Sequence, residues 1–137
     1  MEKKTKIVDA IAPSFRGTKY PVRFPNVGEM LDIESLKTAY SGGRYGVMVA
    51  SGVRSMNLAL DMIDAMAFIE VKLPQIKTAV NLPKGKTLME LGVRQANELV
   101  MWYKAEIAPW YNQIMNELYA EGVSDTEGAD AAGADAQ

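Results

Sequence analysis

The sequence predicts a mainly α-helical fold: a three-helix antiparallel arrangement around a long central helix, with one or two short N-terminal β-strands. Three observations predict it. Apolar residues recur at steps of three and four through residues 44–73, and again from Met89 to Leu118, which lines up one face of a helix. Capping-box patterns, Asn26 with Glu29 and Thr87 with Glu90, stand where two helices should begin. Before the first of them, Tyr20, Val22 and Phe24 alternate with other residues at the period of a strand.

At the N-terminus, Met1 to Lys6 is basic. A short apolar piece, Ile7-Val8-Asp9-Ala10-Ile11, follows and is ended by Pro13 and Gly17. It suits a strand or an arm. Pro21 and Pro25 confine a strand over residues 20–25 to an edge, because proline cannot donate to a ladder. Strands this short must pair with each other, pack on helices or add to a neighbouring subunit. Residues 1–25 are therefore assigned to a basic arm with short strands.

The helical domain is expected over residues 26–121. Its first helix runs roughly from Val27 to Tyr40, burying Met30, Ile33, Leu36 and Tyr40, and Ser41-Gly42-Gly43 ends it. The central helix is expected over residues 44–73. Val49, Val53, Met56, Leu60, Ile63 and Ala67 form one row, and Tyr45, Met48, Ala59, Met62, Met66, Ile69 and Leu73 widen it. Only Arg54, Asn57, Asp61 and Asp64 keep a polar stripe, so other elements or subunits must cover the rest.

Pro74 stops that helix, with a further turn or two over residues 75–80 before the loop Leu82-Pro83-Lys84-Gly85-Lys86. The third helix carries Met89, Val93, Ala96, Val100, Tyr103 and Ile107, then Tyr111, Ile114 and Leu118. Pro109 predicts a kink or break between Glu106 and Trp110. From Gly122 the chain turns to Gly, Ala, Asp and Ser, which predicts a disordered acidic tail over residues 122–137.

Composition excludes several function classes. With 137 residues the chain has room for one domain, and 48% hydrophobic content supports a real core. No uncharged run approaches the ~20 apolar residues needed to cross a bilayer. Without cysteine or histidine there is no disulfide, no thiolate ligand or nucleophile, and no imidazole for proton transfer or zinc. Net charge is −2; residues 1–121 hold all 15 basic and 13 of the 17 acidic residues, too small an excess to argue for nucleic acid. A cytoplasmic protein is expected, with no cofactor and no small-molecule substrate.

Three patterns invite sharper readings. Gly85-Lys86-Thr87 resembles the end of a phosphate loop, but Val80 stands where the motif needs its first glycine. Asp61 and Asp64 share a helical face; two carboxylates without a third ligand are weak evidence for a cation or for acid–base work, and Arg54 and Asn57 suggest a solvated face. Five aromatics, Trp102, Tyr103, Trp110, Tyr111 and Tyr119, lack the positive groove that base stacking requires, so Tyr103 and Tyr111 are expected inward and the tryptophans partly on the surface. Of the nine methionines, most are expected in the core, with Met101 and Met115 off the main stripe. Met101, Trp102, Trp110, Met115 and Tyr119 are the candidate partner-binding residues.

The order of parts carries a resemblance. A Pro-bounded strand precedes Pro25-Asn26-Val27-Gly28-Glu29-Met30-Leu31-Asp32-Ile33-Glu34, then come a Gly-Gly turn, a long helix, Pro109-Trp110-Tyr111 and an acidic tail. From Val22 to Leu118 this resembles small tailed-bacteriophage morphogenesis proteins, most nearly the tail assembly chaperones. That resemblance implies a non-enzymatic, homo-oligomeric helical protein of the host cytoplasm that binds tape-measure or tail-tube polypeptides, often with a dispensable or frameshift-extended C-terminus. No functional residue carries over, because those proteins share no fixed catalytic set. The alternative it leaves is a structural component of the virion, a tail or neck subunit.

Overall fold

A computed structural model describes residues 9–125, which are mainly helical behind a short N-terminal hairpin. Residues 1–8 and 126–137, with the basic start and most of the expected acidic tail, lie outside the described residues.

The hairpin consists of two nested ladders. Strands β1 (Ala10–Ile11) and β4 (Val22–Arg23) pair antiparallel with Ile11 opposite Val22; β2 (Ser14–Phe15) and β3 (Thr18–Lys19) pair inside them with Phe15 opposite Thr18. Pro13 and Pro21 interrupt the ladder between the two pairs. The Pro13 carbonyl nonetheless accepts from the Tyr20 N–H at 2.8 Å, so the chain stays in register. At the tip, Arg16 and Gly17 both have positive φ, the two-residue turn whose twist matches that of the strands it joins. Left-handed Arg16 costs about 1–2 kcal/mol, offset by a guanidinium that grips Glu98 at 2.6 and 3.0 Å and the Ala79 carbonyl at 3.0 Å.

Helix α1 (Val27–Tyr40) begins with the reciprocal capping box: Asn26 Oδ1 accepts from the Glu29 N–H at 2.8 Å, and Glu29 accepts from the Asn26 N–H at 3.0 Å. Ile33 is buried, with Met30, Leu36 and Tyr40 half-buried beside it. The helix expected over residues 44–73 is two helices, α2 (Tyr45–Ser51) and α3 (Arg54–Lys72). Gly52 ends α2 in the left-handed conformation at φ 69° and Val53 is extended, its N–H donating to Ser51 Oγ at 3.2 Å. A lone glycine makes that break cheap, and the apolar spacing runs on across it unchanged.

Helix α3 packs against α1, α2 and α5 (Val93–Trp102). From Ala65 to Ile69 it is buried on every side. Phe68 at its centre meets Tyr103 and Tyr111 at 5.5 and 5.3 Å, and burying such a side chain is worth roughly 2–3 kcal/mol. After Leu73 comes α4 (Ile76–Ala79). Thr87 and Glu90 then cap a single 3-10 turn, Leu88–Glu90, and α5 starts afresh beyond Gly92.

Pro109 causes no break. A π-helical turn, Tyr103–Ile107, widens the helix just ahead of it, with the Ala108 N–H donating to the Tyr103 carbonyl, and α6 (Ala108–Asp125) follows directly. The wider turn gives the ring room that an α-helical turn denies it. The periodic stripe continues inward as Ala96, Val100, Tyr103, Ile107, Tyr111 and Ile114, while Val93 and Leu118 at its ends are exposed. The hairpin closes over this rod: Phe15 lies 5.0 Å from Trp102, and Phe24 stacks on Tyr111 at 5.2 Å.

Candidate functional site: a methionine-lined groove

Helix α2 buries none of its residues. Its seven residues include Val47 and Val49, and with Val53, Met56 and Leu58 at the start of α3 they leave five large apolar side chains in solvent, Val47 at 71% exposure. The break at Gly52 separates α2 from α3, whose later turns fill the core while α2 leaves none of its residues buried.

Beside this exposed face runs a groove. Arg44, Val47, Met48, Ser51 and Met56 line its outer end. Arg44 and Met48 also border the next section with Tyr40, Ala59, Met62, Ile63 and Met89, and Met62 and Met89 lead on to Met66, Leu88, Leu91, Val93 and Ala96. Five methionines from α2, α3 and the 3-10 turn therefore line a series of three adjoining hollows. Unbranched, polarizable side chains can reshape such a lining around differing apolar partners. Of these five only Met66 is fully buried; Met48 and Met62 are half-buried, and Met56 and Met89 are exposed. Met66 lies in the core as expected, whereas Met48, Met56, Met62 and Met89 border the surface. In the groove wall, Tyr40 Oη is buried with no hydrogen-bond partner, and burial pushes its pKa up to about 12.

A separate hollow mixes charged and aromatic side chains and lies among α1, α3, the π turn and α6, lined by Lys37, Asp61, Asp64, Tyr103, Lys104, Ala108, Tyr111 and Asn112. Tyr45 Oη donates to Asp64 Oδ1 at 2.5 Å, tying α2 to α3. Lys37 Nζ stands 3.8 Å from the same oxygen and 3.0 Å from Glu34, and Lys104 donates to Asp61 at 2.9 Å. Asp61 and Asp64 thus find protein partners from three other elements and not from Arg54 or Asn57. Burial raises the Asp64 carboxyl, against the opposing pull of Tyr45 and Lys37. Tyr45, Tyr103 and Tyr111 are all pushed upward, first by burial, so at neutral pH they stay protonated. Among the described residues no three metal-ligating side chains converge. What this arrangement can do is hold four elements together.

The five residues expected at a partner surface do not come together. Trp102 points inward, 8% exposed, its Nε1 donating to the Ser14 carbonyl at 2.8 Å and its ring meeting Phe15 and Tyr20. This corrects the expected half-exposed tryptophan: the hairpin supplies a lid that helical periodicity alone does not reveal. Trp110 and Met115 are half-buried against the core, Trp110 edge-on to Phe24 at 5.9 Å. Met101 and Tyr119 are exposed, but 18 residues of helix separate them by about 27 Å at ~1.5 Å per residue. Sequence reasoning missed the groove; its available signals were the glycine inside a long periodic run and the methionines clustered on both sides of it.

Gly85-Lys86-Thr87 leads into three residues of 3-10 turn, and Lys86 pairs with Glu90 at 3.4 Å, so no helix stands there to receive a phosphate. No helix among the described residues is long and apolar enough to cross a membrane. No family model, curated protein or solved structure matches the chain.

Proposed function

We propose that this chain is a non-enzymatic helical binding protein that takes up an amphipathic helix of another polypeptide along the methionine-lined groove. One observation carries the reading: a seven-residue helix with none of its residues fully buried, standing beside adjoining, mostly apolar hollows, exposes hydrophobic surface that the other described residues leave uncovered. Helix-in-groove recognition needs a trough of this kind and pays no cost for backbone rearrangement in the receiver. In this reading α3 is the central rod about which the other helices are arranged, and the protein acts as an oligomer in the host cytoplasm.

The resemblance to tail assembly chaperones supplies the class of client: a tape-measure or tail-tube polypeptide of a tailed phage. Chaperone work asks for an adaptable apolar surface and no chemistry. Methionines and the absence of histidine and cysteine suit it.

Co-expression with tape-measure and tail-tube polypeptides of tailed phages, followed by affinity purification, tests the proposal. A complex weakened at least tenfold by Met56→Asp, at an exposed position, is the expected result. A stoichiometric amount of the chain in purified virions, without such a complex, would replace this reading with that of a structural subunit.

A further inference from the structure

Charge divides along the chain in the same sense as the apolar surface. All 15 basic residues stand at or before Lys104, whereas 7 of the 17 acidic residues follow it. Arginines divide in space as well. Arg16 pairs with Glu98 and Arg23 with Asp9, but Arg44, Arg54 and Arg94 have no carboxylate partner among the described residues. Of those three, Arg44 lines the groove, while Arg54 opens α3 and Arg94 stands in the first turn of α5.

The complement of this surface stands at the far end of α6. From Met115 through Glu121 no residue is buried, and Tyr119 is 75% exposed. Met115, Leu118 and Tyr119 follow one another at three and one, forming a single stripe, and Glu117 and Glu121 stand a turn apart beside it without a cationic partner among the described residues. A helix end with neither packing nor a compensating cation is marginal in water. Met115 at its start still packs on the core, but Leu118 and Tyr119 beyond it are exposed among the described residues, on an acidic amphipathic segment.

We propose that the groove of one copy receives the α6 end of a second copy, Leu118 and Tyr119 entering among the methionines while Glu117 and Glu121 meet Arg44. Donor and acceptor surfaces differ, so the contact is head-to-tail and builds rings or open chains, not a closed two-fold dimer. The proposal rests on the groove being a helix-docking surface. A client helix would displace the α6 end from the same seat, so self-assembly keeps the groove covered until a client arrives.

Two variants of the full chain test it, each altered only at exposed positions and checked for helix content: Leu118→Asp with Tyr119→Asp, which disables the inserted end, and Met56→Asp with Arg44→Glu, which disables the groove. Sedimentation velocity is expected to show wild-type mass rising with concentration and falling with salt, and each variant monomeric. Their equimolar mixture should form a dimer that grows no further, because one working end and one working groove remain. Wild type that stays monomeric, or variants that lose assembly but fail to pair when mixed, would overturn the head-to-tail contact. Monomeric wild type that still captures a client overturns this inference alone; wild type that assembles head-to-tail but refuses every client overturns the proposed function alone.

Discussion

Trp102 Nε1 donates a hydrogen bond to the carbonyl of Ser14 across 2.8 Å, joining residues 88 positions apart. Through it the N-terminal hairpin becomes part of the helical core. Phe15 and Tyr20 both pack against the same indole, and Arg16 at the hairpin tip grips Glu98 one turn earlier on α5.

Trp102→Phe therefore removes a donor and leaves a gap beside Phe15. A loss of about 1–3 kcal/mol is expected in urea denaturation. Faster amide exchange confined to residues 10–24 would locate the damage in the hairpin; uniform acceleration would place it elsewhere.

Gly52→Ala tests the break between α2 and α3. A Cβ built at Gly52 meets nothing within 4 Å, so the cost is conformational alone, about 1–2 kcal/mol for a left-handed alanine. Gly52→Asn should recover part of it, since asparagine tolerates that region. Thermal melts of the three proteins give the order Gly, Asn, Ala from most to least stable.

Tyr40→Phe should be neutral or stabilising by up to about 1 kcal/mol. Tyr40 Oη is buried without a partner, and removing an unsatisfied hydroxyl recovers a desolvation cost while the ring still packs. A measured loss above that size would mean the hydroxyl has a partner in solution.

The carboxylates give opposite pH dependences. The Lys72 side chain, at 2.7 Å, and then the Asn26 N–H hold Glu29 below its ordinary 4.5; its folded pKa is depressed, so its contribution is present above that value and lost as pH falls through the folded one. Burial raises Asp64 above its ordinary 3.8, so its contribution is present below 3.8 and lost as pH rises through the folded value. Glu29→Gln should cost stability at neutral pH and nothing once the carboxyl is protonated. The stability of Asp64→Asn relative to wild type should increase from acid to neutral pH, as read by denaturant midpoints along the titration.

Local signals in the chain settled much of this architecture. The Asn26–Glu29 box fixed where α1 begins, Pro74 where α3 stops, and the three–four spacing from Ala96 to Ile114 fixed the buried face of the third rod, because capping and periodicity depend on neighbours within a turn or two. Long-range contacts decided the rest. Whether Gly52 interrupts a helix depends on what α2 has to lie against; whether Trp102 faces solvent depends on a hairpin 88 residues away; whether methionines spaced for a core border the surface depends on which elements pack over them. Spacing along a chain says which residues share a face, and only packing says what that face meets.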